Sequence, residues 1–72
     1  MKIEVIFLDD NGRKNKNKIL ELSSNYENRY ILQRGNFIQI EAFDYYIKAV
    51  KGIYEEGQLV QIKIKVQPSR EF

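Results

Sequence analysis

Apolar and polar side chains alternate with a period of two along much of the chain, a spacing typical of β-strands. The clearest example is the segment 59–67. Its aliphatic side chains share one face, and they are Val60, Ile62, Ile64 and Val66. Its opposite face carries Gln61, Lys63 and Lys65. This pattern predicts a half-buried strand that ends near Pro68, since proline has no amide hydrogen for a strand ladder.

The segment 2–8 also alternates, but it is apolar on both faces. One face carries Ile3, Val5 and Phe7, and the other carries Ile6 and Leu8 beside Glu4. Only one face of a strand at a single core can be buried by that core. The pattern therefore predicts a strand whose second face needs another cover.

A strand is predicted over 18–22, and two further strands are predicted in the middle of the chain, over 36–41 and 45–55. In the last of these, Val50 is out of phase with Ile47, which indicates a bulge near Lys48 and Ala49. Short turns at 41–44 and 55–58 join the last three strands as hairpins. In the second turn, Gly57 is the residue expected at positive φ.

The segment 23–35 admits two interpretations. Ser24 and Glu27 have the spacing of a helical capping box, which would place Tyr26 and Tyr30 on one helical face. The alternative is a loop followed by a short strand over 29–32. The pattern leaves both open, so we expect at most one short helix near 24–32.

Together these elements predict one mainly β domain over 1–72, built as a small antiparallel five-stranded barrel or a curved sheet. The segment 34–50 resembles SH3-like barrels: a glycine and a polar residue open a strand, an apolar pair follows, and after a turn comes Tyr-x-apolar-x-x-Val. These positions are Gly35, Asn36, Ile38, Ile40, Tyr45, Ile47 and Val50. The resemblance implies a five-stranded barrel and no particular activity.

Composition narrows the chemistry. The chain has no Cys and no His, which excludes disulfides and the usual zinc ligands, so we expect no metal and no cofactor. No serine has a spacing that indicates an activated nucleophile, so we expect a protein that is not an enzyme. No apolar run is long enough for a membrane span or a secretory signal, which favours the cytoplasm. Abundant Ile, Lys and Asn is typical of proteins from A+T-rich bacteria and their phages.

The positive charge is concentrated in the stretch NGRKNKNK, residues 11–18. Residues 13–18 carry a net charge of +4, whereas the whole chain carries +2. A three-residue loop at 10–12, with Gly12 at positive φ, would place Asn15 opposite Phe7 and Asn17 opposite Val5. Since these polar residues would then share the core face, we expect the stretch to leave the core, as a projecting polar arm or a wide mobile loop.

Two functions follow from these patterns. The first is protein–protein interaction or self-association as a homo-oligomer, because so small a core lacks disulfides and metals and leaves apolar residues to cover. The candidate interface is Ile6, Leu8, Tyr26, Tyr30 and Tyr46. The alternative is nucleic-acid binding by the basic loop. Its candidate contacts are Arg13, Lys14, Lys16, Lys18, Lys48 and Lys51. Lys63 and Lys65 could join that surface, but protection of an exposed strand edge is sufficient to explain them.

Overall fold

The computed structural model describes residues 2–21 and 32–71, and these ranges form strands and no helix. The strands are β1 (Lys2–Leu8), β2 (Lys14–Glu21), β3 (Phe37–Ile40), β4 (Phe43–Glu55) and β5 (Gln58–Pro68). The mainly β fold class is confirmed. The choice between helix and strand for 24–32 lies outside the described residues, apart from Leu32, which is a bend residue.

The strands form one sheet in the order β2-β1-β5-β4-β3, and it curls into a half-barrel. Three of the described pairings are antiparallel, and the β1–β5 pairing is parallel. The sheet is therefore mixed rather than fully antiparallel as predicted, and the alternation pattern does not indicate the parallel pair. β5 is the last strand in sequence but the middle strand of the sheet, with β1 on one side and β4 on the other.

The concave face of the sheet holds the core. Its buried side chains come from every described strand except β2, together with the bend at Leu32. They are Ile3, Val5, Phe7, Leu32, Ile40, Ile47, Ile62, Ile64 and Val66. Phe7 also meets Tyr45 edge to face, with ring centroids 5.1 Å apart. In β1 the core face is thus the one with Phe7, and Ile6 and Leu8 lie half-buried on the convex outer face.

Bulges break the alternation twice in β4 and β5. The predicted bulge near Lys48 and Ala49 is confirmed, because the register with β5 shifts between Ile47 and Ala49. A second shift, between Ile53 and Tyr54, skips Val60. The prediction that Val60 shares the buried face of its strand is therefore wrong, and its side chain is 41% exposed.

The predicted loop of the first hairpin is confirmed. The Asp9 amide donates to the Arg13 carbonyl at 2.8 Å, and Gly12 has a φ of 82°. The Asp9 carboxylate accepts hydrogen bonds from the amides of Asn11 and Arg13, both at 2.9 Å. These bonds close the loop over 10–12 without help from the core.

The predicted pairing beyond this loop is wrong by one residue. Leu8 pairs with Lys14, but Phe7 pairs with Lys16, so that a bulge at Asn15 shifts every later pair. Lys16 and Lys18, rather than the asparagines, therefore lie opposite Phe7 and Val5 on the core face. The stretch is neither a projecting arm nor a wide loop, because β2 pairs along the full length of β1.

Lysine can occupy core-face positions in β2 because this strand is an edge of the sheet. Its side chains are exposed except for the half-buried Leu20. The Lys16 ammonium lies 5.1 Å from the centroid of the Phe7 ring, and Lys18 forms an ion pair with Glu41. Long lysine stems can cover apolar surface while their ammonium groups stay in water.

Candidate anion-binding surface on the outer face of the sheet

Four lysines of β4 and β5 come together on the outer face of the sheet. Lys51 lies directly opposite Lys63, and Lys65 lies opposite Ala49 on the same face. Lys48 is the extra residue of the β4 bulge. We call these four residues the lysine patch; Lys63 is half-buried and the other three are exposed.

Edge protection does not explain the two lysines of β5. Lysine on an edge strand discourages pairing with another molecule, but β5 is the central strand and pairs with β1 and β4 on its two sides. β3 pairs with β4 only over Phe43–Tyr46, so Lys48 and Lys51 lie beyond that ladder. The interpretation of Lys63 and Lys65 as edge guards is therefore wrong. Like charges placed directly opposite each other across two strands destabilise a sheet, so the Lys51–Lys63 pair is a cost to the fold.

Little negative charge offsets the lysine patch. Within the described residues, its ion-pair partner is Glu4 of β1, whose carboxylate lies 3.4 Å from the Lys63 ammonium. The same carboxylate accepts a hydrogen bond from the Asn17 side-chain amide at 3.3 Å. Lys51 and Lys65 form no ion pair with any carboxylate in the described part of the chain. The patch therefore presents net positive charge to solvent.

A groove of about 220 Å³ lies within the lysine patch. Ile6 and Ala49 provide its apolar floor, and Lys51, Lys63 and Lys65 line it. Ile6 pairs with Lys65 in the parallel ladder between β1 and β5. The half-buried Ile6 is thus one part of a surface that is otherwise cationic.

A second groove, of about 580 Å³, adjoins the patch at Lys48. Phe37 and Tyr46 contribute aromatic rings in edge-to-face contact, with centroids 5.5 Å apart. The Lys48 ammonium lies 5.7 Å from the centroid of the Tyr46 ring. Arg70 lines the same groove with a side chain that is 90% exposed, and its guanidinium lies 4.0 Å from a carboxylate oxygen of Asp10. We call this the aromatic groove.

The structure divides the predicted nucleic-acid contacts into two groups. Arg13, Lys14, Lys16 and Lys18 lie on the β2 edge or in the loop before it. Lys48 and Lys51 lie on β4, three strand spacings away, which corresponds to roughly 14 Å across the sheet. Within the first group, Lys16 and Lys18 point to the core face, so the four charges do not form one surface.

The predicted protein interface is divided in the same way. Ile6 and Leu8 are half-buried, and Tyr46 belongs to the aromatic groove. Tyr26 and Tyr30 lie outside the described residues. Sequence reasoning gave Lys63 and Lys65 a different role and missed Phe37 and Arg70 as lining residues. The grouping of the four lysines on one face was predictable from the sequence, because it follows from the pairing of β4 with β5.

In the ranges 2–21 and 32–71, no group of three or more acidic side chains is placed to hold a metal ion. Over the same ranges, no helix is long and apolar enough to cross a membrane. Comparisons with protein-family models, curated proteins and solved structures found no match.

Proposed function

We propose that the protein is a non-enzymatic binding module that holds nucleic acid on the outer face of its sheet. The observation that carries this proposal is the pairing of Lys51 with Lys63, flanked by Lys48 and Lys65, on the outer face of two paired strands, of which β5 is the central strand of the sheet. A phosphate backbone supplies the negative charge that the described protein groups do not. Its binding would relieve the repulsion within this pair.

An extended polyanion fits this surface better than a small anion does. Three of the four lysines of the patch are exposed, and the aromatic groove adjoins the patch at Lys48 of β4. Lys51 lies five positions after Tyr46, which corresponds to a strip roughly 17 Å long. A strip of that length spans several successive phosphates of a nucleic acid.

The test is fluorescence anisotropy with a labelled oligonucleotide over a range of salt concentrations. The triple variant Lys51→Gln, Lys63→Gln and Lys65→Gln should weaken binding strongly at low salt. If each lysine contacts one phosphate of a single strand, the slope of log K against log salt should become less steep by about 2, at roughly 0.7 per contact.

The matched control removes the same charge elsewhere, through Arg13→Gln, Lys14→Gln and Lys16→Gln. It should lower the affinity less and leave most of the salt slope in place. A larger effect of this control would assign the site to the β2 edge instead. Failure of the unaltered protein to bind at 50 mM salt would refute the proposal.

A second candidate is self-association, and a specific observation favours it. The described structure exposes five large hydrophobic residues, and three of them lie together in the β4–β5 hairpin, on either side of its turn. These three are Val50, Tyr54 and Val60. Ile6 and Leu8, which first motivated this function, are half-buried and support it less. Light scattering after size exclusion should show a dimer that Tyr54→Ser and Val60→Thr dissociate; a monomer at all concentrations would exclude this function. Either function fits the expected location in the cytoplasm.

A further inference from the structure

We infer that the preferred ligand is single-stranded, with one unpaired base held in the aromatic groove; this inference rests on the proposed function. The lysine patch by itself would contact only phosphate groups, which double-stranded and single-stranded nucleic acids both have. The aromatic groove is a second feature, at the end of the same face. A nucleic-acid strand that runs along β4 from Lys51 to Lys48 would enter this groove next.

The composition of the groove suits a nucleobase. Its volume of about 580 Å³ lies in the range of roughly 300–1,000 Å³ typical of ligand sites. Phe37 and Tyr46 provide aromatic surface, and every base has a π-face that can stack on such surface. A paired base in a duplex is already stacked on its neighbours and is not available for this contact.

Two cations in the groove suit the phosphates on either side of that base. Lys48 lies over the Tyr46 ring, so a base that contacts Tyr46 places its phosphate within reach of this ammonium. Arg70, which also lines the groove, has a side chain that is 90% exposed, and its guanidinium lies 4.0 Å from the Asp10 carboxylate. The C-terminal wall is anchored, since the Ser69 amide donates to the Asp44 carbonyl at 3.0 Å.

Polar groups of the groove favour stacking over base-specific recognition. The Gln67 side-chain amide donates to the Asp9 carbonyl at 3.1 Å. The Ser69 hydroxyl accepts from the Glu71 amide at 3.3 Å. Because these two groups already have partners within the chain, we expect weak discrimination between bases.

The experiment compares three probes on the unaltered protein: a 12-nucleotide oligothymidylate, a duplex of the same length, and inorganic polyphosphate as a polyanion without bases. We expect the oligothymidylate to bind several-fold more tightly than either of the others. Tyr46→Leu should lower its affinity about ten-fold, the size of one stacking contact, and leave polyphosphate binding unchanged. Tyr46→Phe, which keeps the ring, should retain the affinity.

A spectroscopic measurement covers the case in which Tyr46→Leu does not fold. The chain has five tyrosines and no tryptophan, so its intrinsic fluorescence reports on tyrosine alone. Oligothymidylate should quench part of this emission, polyphosphate should not, and Tyr46→Phe should remove that quenching while binding persists. Quenching that is unchanged in Tyr46→Phe would overturn the inference.

The outcomes separate this inference from the function on which it rests. Equal binding of all three probes, with no effect of Tyr46→Leu, would refute the single-strand preference and leave phosphate binding by the lysine patch intact. Absence of binding to every probe at low salt would refute both.

Discussion

The ion pair between Lys18 and Glu41 joins the two edges of the sheet. Lys18 lies on β2, and Glu41 lies in the turn that follows β3, the strand at the other edge. Their side chains are 42% and 64% exposed. The pair thus spans the side of the half-barrel that the strands leave open.

This pair should contribute little free energy, because both groups are well hydrated. A double-mutant cycle with Lys18→Gln and Glu41→Gln should give a coupling of about 0.2–1 kcal/mol in urea unfolding, reduced by added salt. As a control, Lys14→Gln should show no coupling to Glu41→Gln. A coupling that salt leaves unchanged would contradict this account of the pair.

The turn between β3 and β4 carries backbone strain that a substitution can remove. Ala42 has a φ of 71°, a left-handed conformation that disfavours residues with a Cβ atom. Ala42→Gly should raise the free energy of unfolding by about 0.5–1 kcal/mol. The added conformational entropy that glycine gives the unfolded chain reduces this gain. Ala49→Gly is the control, and it should destabilise because Ala49 lies within a strand.

The lysine patch should show opposite effects on stability and binding. Lys51→Glu replaces a like-charged cross-strand pair with an attractive one, so thermal unfolding should show a gain of about 0.2–1 kcal/mol. The same change should weaken oligonucleotide binding. Lys65→Glu makes the same charge change opposite Ala49, and it should weaken binding without that gain. A loss of stability in Lys51→Glu, compared with Lys65→Glu, would contradict the account of this pair.

The two faces of β1 and its partner β5 should differ in their tolerance of truncation. Ile64 on the concave face is 1% exposed, so Ile64→Ala should cost about 2–5 kcal/mol in chemical unfolding. Ile6→Ala on the outer face should cost clearly less, since Ile6 is only half-buried. Equal costs would mean that something covers the outer face in solution.

The strands and their bulge were predictable because they depend on local alternation. The phase change between Ile47 and Val50 is visible in the sequence and marks Lys48 as the bulge residue. The tight loop before β2 was predictable for a similar reason, since Gly12 permits the positive φ that it needs. Such features are determined by residues close to one another in the chain.

The neighbours of each strand were not predictable from local alternation. The bulge at Asn15 has no signal in the alternation, because both registers place polar residues opposite Phe7. The parallel contact of β1 with β5 joins distant segments, and no turn residue specifies it. The role of Lys63 depends on that contact. Without β1 beside it, β5 would be an edge strand and Lys63 would protect that edge; with β1 in place, Lys63 lies within the sheet and repels Lys51.

The central place of β5 sets an order for folding. The β1–β2 hairpin and the β3–β4 pair have no strand ladder in common except through β5. Each can form early during synthesis, but the sheet cannot unite them until the last strand has left the ribosome. Since this union closes a long loop, we expect folding in the range of milliseconds to seconds, as in other domains with distant strand pairs.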